Sequence, residues 1–294
     1  MSSWKAWLLA FRPKTLTAAL VPIMAGTAWV FSRSAGEPLT WWVPALALFA
    51  SVFIQIGTNL VNDAVDFKKG ADTDERIGPV RVTQQKIFTL RQVLWMGSAF
   101  FLLAALCGLP LVLKGGTTIL LIGLASILLG YGYTAGPFPL AYLGLGDPFV
   151  ILFFGLIAVG GLVYLMTGVW FRDAWVLGLQ TGLHATVLIA INNLRDMNGD
   201  AKVGKKTLPV RFGLSFGRYE IAVLAIAPFL LNLYWLRQGW WPVVLPLLSL
   251  PLALKIVKLI FETEPSPAYN RFLAKGAGLH LAFGALLSLG FILC

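Results

Sequence analysis

The sequence predicts an all-α membrane protein, with nine transmembrane helices in a single bundle and a cytoplasmic N-terminus. Three observations carry that reading. Of 294 residues, 58% are hydrophobic and 12% charged, and the mean hydropathy is +0.79, a composition far from that of soluble domains. Nine apolar runs lie at about 15–33, 41–62, 92–113, 116–135, 148–168, 174–194, 219–236, 241–260 and 275–293. Each approaches the ~20 residues that a helix needs to cross the hydrocarbon core, and all are too continuous for barrel strands, which alternate over about 10 residues. The third observation is charge asymmetry. With nine spans, all of the 23 Lys and Arg except Arg33, Lys114, Arg172 and Arg237 fall in the N-terminal tail, in the loops near 63–91, 136–147, 195–218 and 255–274, or at Lys275 beside the last of these. Such an excess marks the cytoplasmic side.

The net charge of +10 therefore needs no nucleic acid, because topology and anionic lipid headgroups account for it. Loops on the opposite face are short, and no protein partner is evident. Cys107 and Cys294 offer no disulfide or metal framework. The basic N-terminus lacks a convincing cleavage site, so the first span is expected to be retained. Trp41-Trp42 and Trp240-Trp241 read as part of an aromatic belt. No linker divides the chain, which reads as one domain over 1–294 with an internal pseudo-repeat.

That repeat is the functional signal. Asn62-Asp63-Ala64-Val65-Asp66 is followed by Asp72 and by Pro79-Val80-Arg81; Asn192-Asn193-Leu194-Arg195-Asp196 is followed by Asp200 and by Pro209-Val210-Arg211. Asn62, Asp66 and Arg81 recur at an offset of 130 residues as Asn192, Asp196 and Arg211. Both clusters end an apolar run on the cytoplasmic side. Carboxylates at a helix C-terminus oppose the macrodipole, so a stabilising role explains them poorly. Asn59/Asp63 and Asn62/Asp66 are i,i+4 pairs, and Asn192, Asp196 and Asp200 continue one face at i, i+4, i+8. Oxygen sets of this kind suit Mg²⁺, a hard cation usually held by one or two carboxylates together with substrate phosphates. Neighbouring Arg81, Lys205, Lys206 and Arg211 suit the remaining charge of a diphosphate. For Lys205 and Lys206 the competing role is that of positive-inside anchors, and a solvated loop explains Lys68, Lys69, Asp74 and Glu75.

The run NDAVDFKKGADTDERIGPVRVTQ at 62–84 resembles the first aspartate motif of the UbiA superfamily of intramembrane prenyltransferases, and its DFxxGxDT–GPVRVTQ continuation is similar to the MenA branch. Where the generic motif carries a third acid, this chain has Gly70, with Asp72 two residues on, as in the MenA form. Residues 204–213, GKKTLPVRFG, resemble the family's GKxTLxVRxG segment, and Arg12-Pro13-Lys14-Thr15-Leu16 its N-terminal RPxTL. The resemblance extends to the LHLAFGALLSLG segment at 279–290.

The resemblance implies a helical bundle around a central cavity in the cytoplasmic membrane, its active site opening to the cytoplasm. It implies Mg²⁺, two ions with Mn²⁺ as an alternative, held by Asn62, Asp63, Asp66, Asp72, Asn192, Asn193, Asp196 and Asp200. Arg81, Lys205, Lys206 and Arg211 would bind the diphosphate, and Asp66, Asp196, Arg81 and Lys205 would carry catalysis. The implied reaction transfers a polyprenyl group from polyprenyl diphosphate to 1,4-dihydroxy-2-naphthoate with loss of CO₂, giving demethylmenaquinol for menaquinone synthesis. The hydroxybenzoate branch often carries a Lys after a Tyr where this chain has Tyr133-Thr134-Ala135-Gly136-Pro137; 4-hydroxybenzoate and homogentisate remain the alternative acceptors. A transporter would place its charges at the bilayer midplane, whereas these lie at span ends.

Four further positions are candidates for contact with the acceptor or an allylic cation: Arg12, Tyr131, Tyr133 and Asp147. Arg12 serves equally as an interfacial anchor, and the tyrosines as belt residues. His184 and His280 lie within spans, where an interhelical hydrogen bond is the expected role. Asn270, Arg271 and Lys275 sit at the cytoplasmic mouth of the last span as possible headgroup contacts.

Overall fold

The computed structural model describes residues 3–34, 38–70, 77–78 and 81–294. Among them there is no strand. The helices are α1 (Ser3–Phe11), α2 (Thr17–Arg33), α3 (Trp42–Lys68), α4 (Leu90–Gly132), α5 (Gly146–Thr167), α6 (Arg172–Lys202), α7 (Leu208–Arg237), α8 (Trp241–Glu262) and α9 (Tyr269–Ile292). Seven of them, α3 to α9, are long and apolar enough to cross a membrane, and α1 with α2 forms an eighth candidate bent by 49°. α3 and α8 begin at Trp42 and Trp241, and Trp41 and Trp240 beside them are exposed, as an aromatic belt requires.

α4 answers to two of the apolar runs. Its 43 residues would reach about 65 Å if straight, twice the ~30 Å of hydrocarbon available. At Gly116 the backbone takes φ 65° and ψ −155°, which a side chain would strain, and the helix folds back there. Both arms then lie against the same turn of α3. A Cβ on Gly57 would stand 3.1 Å from the Gly97 carbonyl in the first arm, and one on Gly130 in the second arm would stand 2.8 Å from the Thr58 hydroxyl. Small residues let backbones approach where lipid supplies no hydrophobic drive between helices.

α1 was not anticipated, because nine residues fall below the length at which propensity alone holds a helix. Its inner face, Ala6 and Ala10, packs with Ile56, Leu60 and Ala64 of α3 and with Val82 and Val93. Trp7 stacks on Phe88 at 4.0 Å, while Trp4, Leu8 and Leu9 stay exposed. In α5, Leu152–Ile157 is a π-helical stretch. Within it Gly155 meets Gly178 and Gly182 of α6, with a Cβ on Gly155 only 2.7 Å from Gly182 Cα.

The main core gathers α2, α6, α7, α8 and α9 around residues such as Trp29, Leu177, Ile191, Ile221, Ile256 and Phe283. Polar ties cross it. Gln180 Nε2 donates to Pro228 O (3.0 Å) and to Asn232 Oδ1 (2.6 Å), and Trp235 Nε1 donates to Gln180 Oε1 (2.7 Å). His184 Nε2 lies 3.1 Å from Ala225 O, the interhelical bond expected of it. At the end of the bundle away from the two acidic motifs, Asp173 of α6 accepts from Arg33 of α2 (2.9 Å), from Tyr234 (2.8 Å) and Arg237 of α7, and from Gln238 (2.9 Å).

Gly57→Val should disrupt the α3–α4 contact. Thermal unfolding in detergent should show a loss of about 1–3 kcal/mol, the usual cost of overpacking.

Candidate functional site

Each end of the acidic motifs is placed by a long helix whose apolar face is fixed in the bundle. α3 carries Asn62, Asp63 and Asp66 on its last turns, all buried at 8%, 2% and 3% exposure. α6 carries Asn192, Asn193, Asp196 and Asp200 in the same way, with Asn193 and Asp200 buried. Two segments cover them: the turn after α4, residues 133–145, and the loop between α6 and α7.

Uncompensated carboxylates at this depth would be costly, and each has a cation beside it. Asp63 Oδ1 accepts from Arg12 Nη2 and Arg81 Nη1, both at 2.5 Å. Asp66 takes Arg81 Nη2 at 3.2 Å and the Tyr142 hydroxyl at 2.9 Å. Asp196 is held by Arg195 through Nε at 2.8 Å and Nη2 at 2.6 Å. Lys205 Nζ lies 3.5 Å from Asp200 Oδ1.

The two motifs share one electrostatic field. Arg81, Lys205 and Arg12 act on Asp66, while Lys205, Asp196 and Asp66 act on Asp200. Lys69 Nζ stands 3.9 Å over the Tyr142 ring, with Lys205 Nζ at 5.8 Å.

Beneath this mouth lies an apolar cavity of about 100 Å³ between α3, the second arm of α4, and α5. Tyr133 forms its roof; Ser51, Ser126 and Ala158 lie deepest along their helices, and Phe153 and Phe154 come from the π-helical stretch. π-bulges recur at functional sites, and here one turns two rings toward the cavity.

The structure distributes the expected residues unevenly. Asp66, Asp196, Asp200, Arg81, Lys205 and Tyr133 come together. Asn62 is fixed by the Thr134 hydroxyl at 2.6 Å. Asn193, expected as a metal ligand, instead donates to Asp147 Oδ2 at 3.3 Å. Asp63 is an anchor for two arginines. Lys206 has an exposed side chain. Arg211, expected on the diphosphate, donates instead to Lys206 O (3.0 Å) and Leu143 O (2.6 Å), where it clasps two loops. Tyr131 is half-exposed against Phe101 and away from the acids. Asp72 lies outside the described residues. Thr134 and Arg195 are brought to the site with no sequence signal that assigned them there. Asn270, a possible headgroup contact, accepts from Arg195 Nη1 at 2.7 Å.

Among the described residues no three acidic, His or Cys groups form a metal cluster by themselves. Asp200 Oδ2 is nonetheless buried without a hydrogen-bond partner among them. An orphaned carboxylate oxygen beside Asp196 fits a hard cation that takes its remaining ligands from a bound phosphate group.

A charge-dense mouth above an apolar cavity, inside a membrane bundle, is the arrangement of a protein that handles an amphiphile with an anionic head. Residues 19–284 match the UbiA prenyltransferase family, and the chain belongs to that family. It is 32% identical to the 1,4-dihydroxy-2-naphthoate octaprenyltransferase of Haemophilus influenzae, over 98% of this chain and 96% of that protein. With the Escherichia coli protein of the same name the identity is 36%, over 90% and 88%. The fold matches a solved UbiA homolog from Archaeoglobus fulgidus bound to DMAPP and Mg²⁺, with a TM-score of 0.61 and 18% identity over 97% and 99% of the two chains.

Asp63→Ala should separate the anchor from the reacting acids. It breaks two close ion pairs at a buried site and should cost about 3 kcal/mol in thermal unfolding, whereas the isosteric Asp66→Asn, which weakens one longer ion pair and keeps the side chain's shape, should cost less.

Proposed function

We propose that this protein transfers a polyprenyl group from polyprenyl diphosphate to 1,4-dihydroxy-2-naphthoate with loss of CO₂, forming demethylmenaquinol. One observation carries the reading: Asp66, at the end of α3, and Asp200, at the end of α6, lie in one electrostatic field, with Lys205 of the α6–α7 loop acting on both, above a cavity roofed by Tyr133. The acceptor follows from the names of the relatives. The nine crossings would be α2, α3, the two arms of α4, and α5 to α9 in turn. The excess of Lys and Arg at the motif end favours a cytoplasmic mouth in the cell membrane. The motif-bearing helices α3 and α6 would then be the equivalent elements of a single domain built on a pseudo-repeat.

In this mechanism the diphosphate lies at the mouth with the start of its prenyl chain in the apolar cavity. Arg81 and Lys205 stabilise the negative charge that grows on the leaving oxygen, with Lys206 at the rim. Asp66, Asp196 and Asp200, aided by Asn62 and Asn192, are the residues that would hold Mg²⁺. When bound, the ion would neutralise phosphate oxygens and assist ionisation of the C–O bond. Tyr133, at the junction of mouth and cavity, faces the allylic carbon with its ring, while the phenylalanines of α5 keep water away.

Asp147, whose Oδ1 has no hydrogen-bond partner among the described residues, would accept from an acceptor hydroxyl. The C–O electron pair leaves with diphosphate, and the ring carbon bearing the carboxylate bonds to the prenyl carbon. The bond to the carboxylate then breaks, its electron pair restores the aromatic ring, and CO₂ departs. No protein nucleophile is needed.

With purified protein in nanodiscs, 1,4-dihydroxy-2-naphthoate, a prenyl diphosphate and Mg²⁺ should give the prenylated quinol by mass spectrometry. Asp66→Ala and Asp200→Ala should each lower turnover by at least about 10²-fold, the scale for losing a preorganised charge contact, with the protein still folded. Near-native turnover in either variant, or product from 4-hydroxybenzoate alone, overturns the reading. Ser51→Phe, placed deep in the cavity, should shorten the longest prenyl donor accepted, measured as product length across a donor series.

A further inference from the structure

We propose that Arg195, not Arg211, is the second arginine of the diphosphate site; this deepens the function proposed above and rests on it. The 130-residue offset pairs Asp66 with Asp196 and Arg81 with Arg211. The structure keeps the first correspondence and breaks the second. Arg81 is 7% exposed and lies on Asp66 through Nη2 at 3.2 Å. Arg211 is exposed, and its Nε and Nη2 donate to the carbonyls of Lys206 and Leu143. Gly144, at φ 72°, packs against that same Lys206 carbonyl. Arg211 therefore closes a loop.

The place equivalent to Arg81 is filled from within the helix. Arg195 has a side chain only 2% exposed and grips Asp196 with Nε (2.8 Å) and Nη2 (2.6 Å). At 100° per residue, Arg195, Asn192 and Asp196 share an arc of α6 about 100° wide, the arc turned to the mouth. Consecutive residues do not normally face each other on a helix, so the long side chain must fold back over its neighbour, which sets the guanidinium plane against the carboxylate.

Nη1 is held by Asn270 Oδ1 at 2.7 Å. Asn270 Nδ2 in turn reaches Ile77 O at 3.3 Å, in the segment after the first motif. The guanidinium is thus fixed where α6, α9 and the first motif's continuation meet. A planar fork oriented for a carboxylate also fits a phosphate, with two oxygens accepting in parallel. Asp196 and Asn270 account for three of its five N–H donors among the described residues. The remaining N–H on Nη1 and on Nη2 are the donors that would reach phosphate oxygens, and Asp196 beside them would hold part of the countercharge when a divalent ion is bound.

The test uses the purified protein in nanodiscs, with calorimetric binding of inorganic pyrophosphate in the presence of Mg²⁺ and separate KM values for prenyl diphosphate and naphthoate. Arg195→Gln should weaken pyrophosphate at least about tenfold, or about 1.4 kcal/mol, and raise the prenyl diphosphate KM to match while the naphthoate KM stays put. Arg195→Lys, which keeps charge but not the fork, should recover part of the loss. Arg211→Gln should bind pyrophosphate as the native protein does. Should Arg195→Gln fail to fold, Arg195→Lys decides: native affinity in that variant overturns the assignment. Folded Arg195→Gln with native affinity, or Arg211→Gln losing more than Arg195→Gln, also overturns it. With Asp66→Ala as control, normal binding in Arg195→Gln but not in Asp66→Ala removes Arg195 alone. A native protein that binds no pyrophosphate removes both this assignment and the function beneath it.

Discussion

Charge neutrality at one end of an apolar bundle is the constraint on which the rest of this structure depends. Helices α3 and α6 finish in carboxylates, at the pole of the helix dipole that least favours them. Arg12, Arg81, Arg195 and Lys205 each stand against an aspartate there. Because these cations come from the α1–α2 junction, the loop before α4, α6 itself and the α6–α7 loop, meeting the acids also fixes how those segments converge. The cations that make these buried acids tolerable are those that, in the proposed reaction, would receive an anionic headgroup. Stability and chemistry draw on one set of ion pairs.

Close helix packing makes room for that convergence. Glycines at 57, 97 and 130 bring both arms of α4 against α3, and those at 155, 178 and 182 bring α5 against α6. The apolar cavity remains where α4 and α5 diverge. Arg12 adds local strain: it holds φ 54° and ψ 61° immediately before Pro13, a conformation costly for a side-chain-bearing residue. Its guanidinium reaches Asp63 from there, so the strained backbone lies at the candidate site.

The long helices and the acids at their ends were legible because hydrophobic runs and register along a helix are properties of sequence alone. The break at Gly116 coincides with the boundary between two apolar runs. Loop-borne side chains were not legible in this way. Arg81 and Arg211 are in register, but Arg81 lies in the segment between α3 and α4 while Arg211 falls in the first turn of α7, and where each then reaches depends on how its connection folds. Tyr142 and Thr134 join the site because the turn after α4 folds over it, a long-range event that no local pattern encodes. α1 was hidden by its length, and Arg195 by its adjacency to the acid it serves.

Asp173 gives the bundle a mechanical polarity. Its carboxylate gathers donors from α2, from α7 and from the segment just beyond α7, and stitches the far end of the barrel of helices shut. The opposite end is joined by ion pairs between the motif acids and arginine or lysine. The two ends of the bundle are therefore held by different means: a carboxylate shared among three segments at one, and separate ion pairs around the acidic motifs at the other.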